Sequence, residues 1–580
     1  MFDIAAQDQA LRRLAETGIL IEAHPLSPTE LYPFAERGVV CALEGKVIVA
    51  EQGVVLCVGV DRRFPLSLPK VFLRPPDALG FIPHVDGNGY VCYADAEGLL
   101  LNSEDPVGIL REATTRAVGI LEDGASSKNR WEFMDEFLSY WRRLQPRQRL
   151  LAFLRVDDVL RRVRAYTSRG RYAWVADGDR AVLAYFNGNP KALTSLTQRT
   201  ALYIPLREGS FITPPSPGHL WSAAEISAIV QEALSADNLR RLTWLGRKWK
   251  AEELVILGVP RPSGGRTLVG LRFRGVTGGH PLLEGDVQEM PEPIEIQRLD
   301  PGYLVARGGG QVELGQFRVL LVGCGSVGSY VALALPQAGP LNLTMVDPDI
   351  MRPENTFRHA LGYSVLGAPK VTALKAELER KYPYIAVTAH QKYIEEAMMD
   401  GLLQVSTFDL VIVALGNPTV ELYLNRVLHE RPAGPKAVFA WLEPYGIGGH
   451  VLLTRPGMPG CLQCLYTPAS DLETPLRNRA AFAAYGQSFG KDDLGCGSQY
   501  TPYGALDAQR TAEHAVRLAL DGLTGREPGS PLLSWKGPDD AFKAAGFQVA
   551  PRYLLTADQL YERRYGYIDP LCRVCRESKG

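Results

Sequence analysis

Apolar and polar positions follow three different rhythms along this chain. The first residues, MFDIAAQDQALRRL, place apolar side chains at helical spacing and predict an amphipathic helix. Short β-rich runs follow at 39–43, 46–50 and 54–60, the pattern of an antiparallel meander. A proline-rich stretch (64–71) and a glycine-punctuated loop (86–90) come next, and helical patterns at 106–122 and 131–144 close this α+β segment. Residues 146–300 mix strand-like pieces (172–176, 181–185, 254–259, 268–273) with loops and one helix near 223–236. They carry no chemical motif, so a connecting domain is expected there. From 310 onward the rhythm becomes strand, glycine turn, helix, strand. An apolar run at 317–322 leads through 323–328 into a helix at 329–337. Strands at 341–346 and 410–415 flank a helix at 370–381. Alternating strands and helices predict an α/β, doubly wound, mostly parallel sheet. The expected domains are therefore 1–145, 146–300 and 301–580.

Bulk properties narrow the classes. A chain of 580 residues with 46% hydrophobic and 22% charged residues can supply several cores. A net charge of −1 calls for neither a nucleic-acid nor a membrane partner. The local run Arg161, Arg162, Arg164, Arg169 and Arg171 reads as a solvated face or linker. The N-terminus lacks the continuous apolar core of a signal peptide, and no long apolar window predicts a membrane span. A reducing, cytoplasmic setting is the expectation. There, clustered members of the nine cysteines suggest metal or catalysis before disulfides.

Gly323-Cys324-Gly325-Ser326-Val327-Gly328 lies between a predicted strand and a predicted helix. Glycines there let backbone N–H groups approach phosphate at a helix N-terminus. Asp347, at the end of the second strand, is spaced to bond a ribose hydroxyl. These features alone would also suit a nicotinamide dehydrogenase. Asn355, Arg358 and Lys370 argue otherwise. With them, the segment resembles the ThiF/MoeB and ubiquitin-activating adenylation fold. The resemblance implies ATP and Mg2+, with Asp347 on the ribose and Asn355, Arg358 and Lys370 around the triphosphate. Positioned cations suit the charge that builds when a carboxylate attacks the α-phosphate. The family's acidic magnesium ligand would fall at Gly416, so Asn417 and Glu421 are left as partial substitutes. Arg307 is a candidate for the arginine that reaches across the homodimer usual in this fold.

Cys461-x-x-Cys464 and Cys572-x-x-Cys575 form two knuckles whose four thiolates suit a closed, structural Zn2+ site. Cys496, between glycines and ahead of a helical pattern, suits a thiol that captures an activated acyl group. Cys92 has a second setting. The proline-rich approach, then Ile82-Pro83-His84 and Asn88-Gly89-Tyr90-Val91-Cys92, resembles the ubiquitin-conjugating enzymes. Their catalytic Asn stands eight residues before the cysteine, and here that place is His84. Its imidazole would donate to the thioester carbonyl or act as a base toward the attacking amine. Cys41 and Cys57 read as core, and Cys324 as a packing residue.

The order of the parts is similar to that of the bacterial activating–conjugating fusions of anti-phage CBASS operons. That resemblance implies adenylation of a protein's C-terminal carboxylate, capture by Cys496, transfer to Cys92 and attack by a target amine. The protein substrate would be a cGAS-like nucleotidyltransferase or a ubiquitin-like protein. Two rivals are a sulfur-carrier adenylyltransferase of cofactor biosynthesis, in which Cys92 is idle, and a nucleotide-binding scaffold without catalysis, which Gly416 would suit.

Overall fold

The computed structural model describes residues 4–94, 98–186, 188–468, 476–492 and 499–575. It forms two compact units: residues 1–178 with 196–298, and residues 179–195 with 299–580.

The first unit opens with the expected helix, Ile4–Glu16, which buries Leu11 and Leu14. A four-stranded antiparallel meander follows in chain order: Ile21–Pro25, Val39–Val49, Gln52–Asp61 and Lys70–Arg74. The two runs expected at 39–43 and 46–50 are one strand. Gly45 does not break it, because the strand pairs residue for residue with its neighbour, Glu44 opposite Cys57 and Gly45 opposite Leu56. Helix Pro106–Ala125 starts at a capping Asp105 whose carboxylate accepts Gly108 N–H. It lays Leu110, Ala113, Ala117 and Leu121 on a core shared with Leu43, Leu56 and Val58. The helix expected at 131–144 is two short ones, Glu132–Asp135 and Phe137–Arg143.

Residues 146–300 hold more regular structure than their sequence suggests. Seven strands close into a barrel: Arg266–Arg274, Glu292–Arg298, Gln148–Phe153, Arg171–Ala176, Arg161–Ser168, Thr197–Pro205 and Glu252–Pro260, in that order around the ring. Arg161, Arg162, Arg164 and Arg171 lie on two paired strands of this barrel, with Arg169 in the turn between them, so the run is not a linker. Alternation explains it, since Val163 and Ala165 point inward while Arg161 sits over the Tyr203 ring and pairs with Asp157 and Asp177. The strand expected at 181–185 is helical, within Asp179–Tyr185. Two helices, Ala223–Ala233 and Ala236–Gly246, replace the single one expected. Each starts at a capping serine, Ser222 and Ser235, and the second cap breaks the run.

The second unit has the doubly wound sheet. Its seven strands run in the order Ala386–His390, Asn342–Val346, Arg318–Val322, Leu410–Val413, Lys436–Leu442, Gly448–Thr454, Leu532–Lys536. The first five are parallel, Gly448–Thr454 runs antiparallel to them, and Leu532–Lys536 pairs antiparallel with Gly448–Thr454. Strand Arg318–Val322 connects to one side and Leu410–Val413 lies on the other. The carboxyl ends of these two strands therefore form a switch point, where such sheets open a ligand crevice. No helix among the described residues is long and apolar enough to cross a membrane.

Candidate active sites

The glycine loop sits at that switch point. Helix Ser326–Ala338 begins at Gly325 and packs close to the strand before it. A side chain at Gly328 would meet Gly323 O at 1.9 Å, so only glycine fits that approach. Asp347 follows strand Asn342–Val346 and is 6% exposed. Its Oδ2 accepts Cys324 N–H at 2.6 Å and its Oδ1 accepts Asp349 N–H at 2.8 Å. Burial raises the Asp347 carboxyl, against the pull of those N–H groups and of Lys370. Lys370 opens helix Lys370–Lys381, is buried, and holds Asp349 Oδ2 at 2.8 Å.

The segment carrying Asn355 and Arg358 folds over this loop. Asn355 Oδ1 accepts Arg352 N–H. The Arg358 guanidinium lies 5.5 Å from the Tyr503 ring, whose hydroxyl is 2.8 Å from Ser326 Oγ. Two residues not singled out from sequence complete the seam. His359 is buried and its Nε2 donates to Cys324 O at 2.9 Å; burial lowers its imidazole to about 4, so it is a neutral structural donor. Ser329 Oγ accepts Ala360 N–H. A lone histidine and serine at no motif spacing gave no signal. Arg307 ends helix Pro301–Arg307, with its guanidinium 5.5 Å from the Tyr303 ring.

At the next strand end, Gly416 offers no carboxylate. Its N–H donates to Glu421 Oε1 at 3.0 Å. Glu421 lies in the first turn of helix Pro418–His429, which Asn417 caps through its side chain. It is 4% exposed, and burial pushes its carboxyl up to about 7, against the N–H groups of Gly416, Asn417 and Leu415.

The two cysteine knuckles meet. Cys461, Cys464, Cys572 and Cys575 are all buried, with their sulfurs within 4.8 Å of one another. Cys461 Sγ is 3.7 Å from Cys572 Sγ, and Cys464 Sγ is 3.4 Å from Cys575 Sγ. Tetrahedral zinc thiolates need sulfurs about 3.8 Å apart. Gly460 N–H donates to Cys575 Sγ, which suits a charged sulfur. Cys496 lies outside the described residues.

Cys92 is exposed, while Cys41 and Cys57 are buried. Its N–H donates to His84 O at 2.8 Å, which closes the loop between them. Gly89 lets that loop lie on strand Lys70–Arg74, for its φ is +81° and a side chain there would strike Leu73 O. His84 has a φ of 63°, held by Tyr140, whose hydroxyl accepts His84 N–H at 3.0 Å. The imidazole has two acidic neighbours: Nε2 is 2.5 Å from Glu132 Oε2, and Nδ1 is 3.0 Å from Glu136 Oε1. Burial alone would lower it. Contacts with Cys92, Glu136 and Glu132 outweigh burial and raise it to about 10. Sequence reading placed His84 by its register to Cys92, but both glutamates lie about fifty residues further on and read as helix surface.

Comparison with known proteins matches the two halves separately. Residues 303–490 match the ThiF family, and residues 34–150 match Prokaryotic E2 family B. An ATP-dependent ubiquitin transferase-like protein of Pseudomonas aeruginosa is 24% identical over 504 residues, 82% of this chain and 86% of that protein. This chain is an E2–ThiF fusion enzyme. Its modules are those of an activating and conjugating enzyme. A second ATP-dependent ubiquitin transferase-like protein, from Vibrio cholerae, is 27% identical over 43% of this chain and 44% of its own. The molybdopterin-synthase adenylyltransferase of Escherichia coli is 34% identical over 20% of this chain and 46% of its own. In these two the match spans less than half of the relative.

The ThiF module suits ATP through its bare glycine cradle and the adjacent Lys370 and Arg358. For magnesium the fit is looser. Among the described residues, the carboxylates beside the glycine loop and Gly416 include Asp347, tied to two N–H groups, Asp349, paired to Lys370, and Glu421, held by backbone. Asp349 keeps the most open oxygens, its side chain being 56% exposed. The four buried thiols fit zinc, and with no open coordination position such a zinc is structural.

Proposed function

We propose that this E2–ThiF fusion activates the C-terminal carboxylate of a protein and joins it to an amine. The observation that carries the reading is an exposed Cys92 beside His84, whose imidazole meets Glu132 and Glu136, in the same chain as a ThiF-like glycine crevice. The carboxylate oxygen attacks the α-phosphorus of ATP, an acyl adenylate forms and pyrophosphate leaves. In this reading Arg358 and Lys370 offset the added charge, and Asn355 and Asp347 hold the nucleotide. Magnesium, when bound, screens the triphosphate. The Cys496 sulfur then displaces AMP, and the acyl group passes by thioester exchange to Cys92. The amine nitrogen attacks that carbonyl carbon, the C–S bond breaks and Cys92 leaves as thiolate. Splitting amide formation in this way lowers each barrier, because thiols are competent nucleophiles near neutral pH.

The protein substrate we favour is a cGAS-like nucleotidyltransferase in an anti-phage operon of a bacterial cytoplasm, with a ubiquitin-like protein as the alternative. Phe357 is 94% exposed and Tyr363 is 76% exposed between Asn355 and Lys370, which supports a homodimer built on that apolar surface. A sulfur-carrier adenylyltransferase would share the crevice and leave Cys92 unused.

The test mixes the enzyme, ATP and candidate carriers from neighbouring genes, resolved on non-reducing gels. A reductant-sensitive adduct is expected, lost in Cys496→Ala, with a second lost only in Cys92→Ala. Adducts that persist in both variants would sink the scheme, and full carrier activity in Cys92→Ala would favour the sulfur-carrier reading.

A further inference from the structure

His84 is the one residue in which the E2-like module departs from the asparagine of conjugating enzymes, and its surroundings explain what replaces that amide. The imidazole is mostly buried, its side chain 16% exposed. Nε2 bonds Glu132 Oε2 at 2.5 Å. Nδ1 forms an ion pair with Glu136 Oε1 at 3.0 Å, off the line of a well-directed hydrogen bond, and also faces Cys92. Nitrogen, Glu136 oxygen and Cys92 sulfur all lie within 4.8 Å of one another. A buried donor thus stands between Glu136 and the reactive sulfur, loosely aligned with the carboxylate. We propose that Glu132 and Glu136 are positioning residues that hold His84 as an imidazolium, leaving its Nδ1–H to bond the carbonyl oxygen of an acyl group on Cys92. This rests on the conjugating reading of Cys92 given above.

Among the described residues, the groups facing the ring are few. Glu132 and Glu136 come from the segment 132–136, and Tyr140 comes from helix Phe137–Arg143, with its hydroxyl 3.4 Å from Glu136 Oε2. Arg143 stacks on the Tyr140 ring and donates to Val85 O, not to the imidazole. Cys92 is the other neighbour among the described residues. Two carboxylates against one ring keep its proton in place through neutral pH, and the raised value agrees. In that state His84 is a donor and not a base. When the amine attacks, the carbonyl oxygen gains charge and Nδ1–H bonds it. Collapse breaks the C–S bond, the amine's proton passes to solvent, and His84 keeps its own proton throughout.

The barrel gives the glutamates a fixed base. Met134 Sδ accepts Ile212 N–H at 3.2 Å, Asp135 Oδ1 accepts Ser263 N–H at 3.1 Å, and Trp131 meets the Phe211 ring edge-on at 5.1 Å. The connecting domain thereby braces both sides of Glu132.

Two measurements on the full-length enzyme test this. Histidine C2–H exchange in heavy water, read by peptide mass spectrometry, reports the ionisation of each histidine. In the wild type the His84 midpoint is expected above that of an ordinary imidazole, near 10. In E132Q/E136Q it should fall to within about 1 pH unit of the ordinary value. An unchanged midpoint overturns the clamp, and it needs no carrier. The second measurement chases a Cys92 thioester with amine. At pH 9, E132Q/E136Q should slow the chase about tenfold, and in an H84N background the same pair should have little effect. Equal slowing in the H84N background overturns the positioning role, since the glutamates would then act through structure alone. If the wild type forms no thioester on Cys92, the conjugating reading falls and takes the donor role with it, while the exchange midpoint still decides the clamp.

Discussion

Glu421 shows how much a single buried carboxyl reveals about its strand end. Its pKa rises in the folded chain, so the folded state prefers the neutral form. Stability from this group is full below the ordinary carboxyl value of 4.5 and is lost as pH climbs through about 7. Glu421→Gln should therefore stabilise the second unit at pH 8 by on the order of 2 kcal/mol and leave it nearly unchanged at pH 4.5. Melting curves at the two pH values check this, and an equal shift at both would contradict it. At this scale the sequence was legible where chemistry comes in spaced patterns: the glycine loop, the cysteine pairs and the register of His84 to Cys92. It was illegible where a partner comes from another element. Nothing local marks Glu132, Glu136, His359 or Tyr503, and only the folded chain brings them to their sites.

Elements were read best where one rhythm dominates. Helix Lys370–Lys381 was placed to the residue. The meander's two central strands were found, with one false break at Gly45, while its outer strands Ile21–Pro25 and Lys70–Arg74 were not expected. Three barrel strands were legible, near 172–176, 254–259 and 268–273, but the closure was not, because it joins strands far apart in sequence, Gln148–Phe153 with Glu292–Arg298. The barrel's packing carries weight even so. Trp221 is buried against Phe137 at 6.0 Å and Trp141 at 5.7 Å, and Trp141 Nε1 donates to Ile294 O. Removing such a ring leaves a cavity worth about 3 kcal/mol. Trp221→Ala is expected to lower the melting point of the first unit and to weaken transfer from Cys92. ATP–pyrophosphate exchange, which belongs to the second unit, should continue at the wild-type rate. A parallel loss of exchange would show that the packing serves the whole enzyme.

For the molecule as a whole, two compact units predict two unfolding transitions. The cysteine cluster lies in only one of them. It joins positions 111 residues apart, so a bound metal would close a long loop and stabilise the second unit strongly. Stripping metal with a chelator, or Cys575→Ala, should lower one calorimetric transition by several degrees and leave the other in place. Metal content read by mass spectrometry should fall from one zinc per chain to none. Two transitions that moved together would contradict this division. The sequence announced both ends of the chain and left the middle blank, because modules with chemistry carry motifs and a bracing barrel needs only apolar residues on its inner face.

The first barrel strand, Gln148–Phe153, begins five residues after helix Phe137–Arg143 ends, and pairs at once with Glu292–Arg298 and with Arg171–Ala176. Any crossover between genes for such chains near codon 150 would cut through a paired strand and strand Trp141 in water. Recombination that keeps residues 1–178 and 196–298 together passes on a working core, so this lineage would exchange its conjugating half with its barrel attached or lose it.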